Sequence, residues 1–267
     1  MPDHNMMIGI TAWQQQVPLP QSYTGDNAWR IPLHPQPAAA PMSAKTNFFR
    51  GAIALAVNGV PIFNPIKNDG PTDTLLAGEL DQWGGHCGRA DDYHYHIAPV
   101  HLQDVVGADQ PIAYALDGYP IYGFQHQGKT GFAPLDTLNG HKDPKGNYHY
   151  HATKAYPYLN GGFYGKVTEQ NGQVDPQPRG QPYRPALPPL RGAKITGFSK
   201  PSPSSYQLEY NLQGTNQTIT YQLNPNQTVI FQFPDNCSET YTPRSGKGDR
   251  KGPKPPRPGK PPKRKPS

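Results

Sequence analysis

At 267 residues the chain has room for one sizeable domain and a smaller one. Thirty-four prolines, 28 glycines and the lack of any long apolar stretch argue against a helical bundle and against a helix that spans a membrane, and favour short strands joined by long loops. The formal net charge of +6 is uneven: residues 241–267 hold ten Lys or Arg against one acid, Asp249, so the tail carries +9 and the rest of the chain about −3.

Residues 1–50 are polar and interrupted by proline, and read as a segment wrapping the main domain, with one or two strands and with Trp13, Tyr23 and Trp29 as anchors. Met1 to Trp13 lacks the charged start and apolar run of a signal peptide. Residues 51–176 are expected to form one domain from two repeats, about 53–99 and 112–156. Ile53 to Phe63 reads IALAVNGVPIF and Ile112 to Tyr122 reads IAYALDGYPIY, identical at six of eleven positions. Asn58-Gly59 and Asp117-Gly118 each separate two apolar runs, which predicts a hairpin closed by a type I′ turn. Pro61 and Pro120 follow the turn, and because proline donates no ladder hydrogen bond, that arm is expected at a sheet edge.

The second half of each repeat carries a longer frame. Leu80, Asp81, Gly85, His86 and then Tyr93-His94-Tyr95-His96 recur without gaps as Leu135, Asp136, Gly140, His141 and Tyr148-His149-Tyr150-His151, and six of the ten histidines lie here. A period of two is a strand period, so each pair of histidines shares one face and the tyrosines take the other. A hairpin return would set His86 beside His94 and His96, and His141 beside His149 and His151. Three neutral imidazoles suit Zn or Cu, and sometimes Fe, better than Ca or Mg. Asp81 and Asp136 are expected to hold a ring nitrogen or to act as ligands themselves. Set against this, a single alternating Tyr/His strand can be an amphipathic strand with packed tyrosines and wet histidines; two gapless copies with an added Gly-His favour a functional site. The duplication predicts a pseudo-two-fold pair, in which the triplets either meet in one site or form two.

Cys87 offers a thiolate to the first site only, since its counterpart is Lys142, but reads better as a small inert thiol. Two cysteines are too few for a disulfide framework, and whether Cys87 pairs with Cys237 stays open. His4, His34, His101 and His126 fall outside the frames and read as surface residues, and Asp91, Asp92 and Asp143 as solvated loop residues. Asn58 and Asp117 are assigned to turn chemistry.

Residues 177–191 read as a proline-rich linker. Tyr206 to Leu212, Ile219 to Leu223 and Val229 to Phe233 alternate with polar residues, so 192–240 is expected to be a small antiparallel β unit. Residues 241–267, rich in Lys, Arg and Pro, are expected to be disordered.

The chain resembles the YHYH domain family over about residues 45–166, on Asn58 to Phe63, Leu80 to His96, Ala115 to Gly123 and Leu135 to Tyr158. The resemblance implies a mostly extracytoplasmic bacterial family without an established biochemical activity. It departs where family members carry cysteines just after the Leu-Asp, since Gln82, Trp83, Thr137 and Leu138 stand there.

The sequence therefore predicts a mainly β protein, extracellular or periplasmic with the cytoplasm as the alternative, carrying a histidine-based transition-metal site. One competing reading is a metal-free hydrolase or phosphoesterase using histidine acid and base, in which His151-Ala152-Thr153 fits the motif and His96-Ile97-Ala98 does not. Another is a non-catalytic surface module whose tyrosines stack on sugars and whose tail holds an anionic cell-surface polymer. Specific nucleic-acid recognition is not expected.

Overall fold

A computed structural model describes residues 5–124 and 133–243. The chain is built mainly from strands, as the composition predicts. After β1 (Pro37–Ser43), the first repeat supplies β2 (Ala52–Ala56), β3 (Pro61–Phe63), β4 (Gly85–Cys87) and β5 (Tyr93–Tyr95). A short helix, α1 (Gln103–Val106), leads to the second repeat, with β6 (Ala113–Ala115), β7 (Pro120–Phe124), β8 (Gly140–Lys142) and β9 (Tyr148–Ala152).

The two repeats form one eight-stranded sheet in the order β4-β5-β3-β2-β6-β7-β9-β8. The order is a palindrome about the β2–β6 contact, where Ala54 faces Ala115, Leu55 faces Tyr114 and Ala56 faces Ala113. The pseudo-two-fold axis therefore passes between Leu55 and Tyr114, which are equivalent positions of the two copies. Partner residues on antiparallel strands share a face, so both histidine clusters lie on the same face of the sheet. They sit at its opposite ends: five strand spacings separate β5 from β9, about 24 Å along the sheet.

The other face is the core. Tyr95, Ile62, Ala54, Ala115, Ile121 and Tyr150 lie along it in register and are fully buried.

Two expectations about the hairpins are corrected. Gly59 and Gly118 have positive φ, but Asn58 and Asp117 do not, which excludes a type I′ turn. Gly59 N donates to Ala56 O and Ala56 N to Val60 O; Gly118 and Ala115 repeat the pattern. This is a tight turn followed by a glycine bulge, which needs only one left-handed residue. Nor are Pro61 and Pro120 at an edge: β3 pairs with β2 and, in parallel, with β5, while β7 pairs with β6 and β9. Each proline is the first residue of its strand, where the missing N–H costs no ladder bond.

Beyond the repeats, β10 (Gly162–Gly165) pairs with β1, and β11 (Glu169–Gln170) with β12 (Gln173–Val174). The expected C-terminal unit is a five-stranded antiparallel meander, β13 (Ala193–Ser202), β14 (Ser205–Leu212), β15 (Thr215–Leu223), β16 (Val229–Gln232) and β17 (Ser238–Tyr241). Its apolar face carries Tyr206, Tyr221 and Phe231 stacked across adjacent strands at 5.0 and 5.2 Å.

The N-terminal segment ties this meander to the repeats. Trp13 packs on Tyr210 at 5.0 Å, Tyr221 Oη donates to Pro18 O, and Val17 N donates to Asp91 Oδ1. Asp91, expected to be solvated, is buried and forms an ion pair with Arg184 at 2.6 Å. Arg184 lies in the strand-free segment 177–191, with its guanidinium 4.4 Å from the Phe231 ring centre. Apart from 241–243, the tail expected to be disordered lies outside the described residues, as do His4 and His126.

Candidate metal centres

Each frame divides into a clasp and a presented triad. Asp81 Oδ1 accepts from Trp83 N at 2.9 Å and Gly85 N at 3.1 Å, closing the loop that turns into β4. Asp81 Oδ2 accepts from Tyr93 Oη at 2.8 Å. Asp136 repeats the clasp with Leu138 N, Gly140 N and Tyr148 Oη at 2.8, 3.1 and 2.8 Å. To reach the aspartate, each tyrosine crosses directly over the glycine: a Cβ on Gly85 would lie 2.5 Å from Tyr93 Oη, and one on Gly140 would lie closer still to Tyr148.

The second tyrosine of each frame locks the hairpin turn. Tyr95 Oη accepts from Asn58 Nδ2 at 3.1 Å, and Tyr150 Oη donates to Asp117 Oδ2 at 2.6 Å. The Asp, Gly and Tyr positions are thus spent on holding the strands, which leaves the histidines. We expect Gly140→Ala to lower stability by about 2 kcal/mol, as overpacking does, measured by urea unfolding. A stability equal to that of the parent would show that the Tyr148 crossing tolerates a methyl group.

The β4–β5 register sets His86 opposite His94, with His96 continuing the same face. The β8–β9 register sets His141 opposite His149. In the first triad His96 Nε2 lies 3.0 Å from His86 Nε2 and 3.1 Å from His94 Nε2. In the second, His141 Nε2 lies 3.0 Å from His149 Nε2, and the His151 ring centre is 5.0 and 4.9 Å from the other two. The ligand atoms of each triad lie within 4.8 Å of one another. The two triplets therefore do not meet: the structure holds two separate clusters.

The far side of five of the six rings faces a backbone carbonyl at 3.5 Å or less, His86 being the exception. His96 Nδ1 faces Asn64 O at 2.6 Å, and His94 Nδ1 faces Asp92 O at 3.0 Å. His141, His149 and His151 present Nδ1 to Ala133 O, Asn147 O and Gly123 O at 2.5, 3.5 and 3.0 Å. A carbonyl oxygen only accepts, so these contacts place the proton on Nδ1 and leave Nε2 as a lone-pair donor.

In the first triad the consequence is sharp. His94 and His96 then point two unprotonated Nε2 atoms at each other across 3.1 Å, and no tautomer satisfies both the carbonyls and this contact. Double protonation of His86 or His96 is opposed as well, because burial and the neighbouring imidazoles hold both well below the ordinary 6.5. A cation held by the three Nε2 atoms would relieve this contact.

Asp81 and Asp136, expected as ring partners or ligands, are placed elsewhere: both are committed to the clasps, and neither joins a triad. Cys87 faces Tyr93 across the ladder, on the side away from the imidazoles, and both it and Cys237 are free thiols. Thr153 Oγ1 donates to Ala155 O at 2.8 Å, which commits the hydroxyl that the phosphoesterase analogy needs. The four frame tyrosines are buried, so none is available to stack on a sugar. His101, expected at the surface, packs on Trp83 at 4.6 Å.

Glu79 was missed. It lies beside the first triad with Oε2 3.9 Å from His86 Nδ1 and Oε1 2.7 Å from Lys67 Nζ. It is buried, and Oε2 accepts no hydrogen bond. Its counterpart in the second repeat is Pro134, so the duplicated pattern does not mark it.

No helix among the described residues is long and apolar enough to cross a membrane. No curated protein and no solved structure matches the chain. Residues 28–131 match the model of the family described as YHYH protein, a stretch that takes in the hairpins of both repeats and the whole first triad and ends before the second, and it is this family that the chain is similar to.

Proposed function

We propose that the protein binds two transition-metal ions, Zn or Cu, one in each histidine triad, and that it works outside the cytoplasm, as the family resemblance implies. The observation that carries the metal reading is the anchoring of Nδ1 on carbonyl oxygens while the Nε2 atoms converge on one point. Three imidazoles on one side of an ion leave its remaining positions open, the arrangement of catalytic rather than closed structural zinc sites. An ion so held supplies Lewis acidity, or a bound water of lowered pKa.

The decisive measurement is elemental analysis after purification in metal-free buffer and titration with Zn(II) or Cu(II). Two equivalents per chain are expected. No uptake of either metal overturns the proposal.

A further inference from the structure

The histidines of the two triads differ in exposure. The first floors a cleft of about 550 Å³, and His86 keeps 17 % of its side chain exposed, whereas all three histidines of the second triad are buried. The cleft has cationic and aromatic walls. Arg50 and Arg89 line it, and neither has an ion-pair partner among the described residues. Among the described residues of the lining Glu79 is the only carboxylate, and it is engaged by Lys67 on one side and turned toward His86 on the other. Trp13, Phe49 and Phe63 supply apolar surface, with Phe63 stacked on His94 at 4.2 Å.

Part of this equipment comes from the segment before the first repeat, which supplies Trp13, Phe49 and Arg50. Glu79 and Arg89 are replaced in the second frame by Pro134 and Pro144. The approach over His94 is kept open by Gly88, where a Cβ would lie 2.6 Å from His94 Cε1.

We propose that this cleft binds an oxyanion carried on an apolar body, a carboxylate or a phosphate monoester, between a metal ion on the first triad and the guanidinium groups of Arg50 and Arg89. The inference rests on the metal reading above. Guanidinium forks match both oxyanions. The aromatic wall takes the rest of the ligand, and the open positions of the ion take an anionic oxygen.

The test uses the full chain loaded with zinc, with metal content measured alongside, and calorimetric titration with benzoate, phenyl phosphate, acetate and inorganic phosphate. One of the two aromatic anions is expected to bind at one site per chain, more tightly than its small counterpart, and which of them does so identifies the oxyanion. Replacing both arginines, Arg50→Ala with Arg89→Ala, is expected to weaken binding about tenfold or more while zinc content stays unchanged. Lys166→Ala, an exposed charge outside the cleft, is expected to leave it unaltered. Full zinc loading with no anion binding, or undiminished affinity in the double arginine variant, overturns this inference alone. A chain that takes up no zinc overturns the metal reading beneath it.

Discussion

Replacing His94 and His96 together by alanine is expected to lower metal uptake from two ions per chain to one, and His149→Ala with His151→Ala to do the same independently. The triads stand about 24 Å apart along the sheet and share no residue, so the losses add. Each pair removes two of three ligands, so the affinity lost at that site exceeds the 10–100-fold typical for removal of an outer-shell partner. Thermal unfolding gives a second readout. An ion at a hundred times its dissociation constant stabilises by about 2.7 kcal/mol per site, so each double variant keeps one such increment where the parent shows two. The pH dependence has a defined sign. His86 and His96 are neutral in the fold at pH values where the unfolded chain binds protons, so apo stability is fully present above 6.5 and is lost as pH falls below it. If one double variant abolished both ions, the two-site arrangement would be wrong.

The duplication, the face shared by each histidine pair and the hairpin return that adds the third imidazole were legible in the sequence, because a two-residue period and a gapless repeat translate directly into sheet geometry. The roles inside the frame were not. Asp81 and Asp136 looked like metal partners since carboxylate beside histidine is common chemistry, yet the pattern cannot tell a carboxylate that turns toward an imidazole from one that turns toward the backbone. The Gly85 and Tyr93 positions, explained only when the phenol is seen crossing the glycine to reach Asp81, carry the missing information. The two prolines were read as edge markers because pairing in parallel with a strand from the far end of the repeat leaves no local trace. Glu79 was invisible for the opposite reason, since it breaks the repeat. The burial of Asp91 depends on Arg184, 93 residues away, and no spacing rule reaches that far.

Asp117→Asn should invert part of the stability profile. Asp117 is buried, with Oδ2 accepting from Tyr150 Oη at 2.6 Å and Gly165 N at 2.8 Å, and Oδ1 accepting from Tyr119 N at 3.2 Å. Burial outweighs these three donors and pushes its pKa up from 3.8 to about 6. A carboxyl raised in the fold contributes stability that is fully present below about pH 3.8 and is lost as pH rises through about 6. The difference corresponds to about 3 kcal/mol. This runs against the histidine trend, so the two partly cancel in the parent. Asparagine can keep its carbonyl oxygen on Tyr150 and Gly165, and it sacrifices only the longest bond, to Tyr119. It should therefore cost about 1 kcal/mol at pH 4 and recover or exceed parental stability at pH 8, where the parent carries a buried charge. Alanine at the same position leaves three buried donors without an acceptor, and should cost about 3–6 kcal/mol at pH 4 and about 3 kcal/mol less than that at pH 8, where the parent has lost its own Asp117 contribution. The asparagine variant should then lose the Asp117 contribution, so that its stability falls more steeply than the parent's below pH 6.5. A profile parallel to that of the parent from pH 4 to 8 would show that Asp117 does not titrate in this range, and that the Tyr150 contact is held by a permanently charged carboxylate.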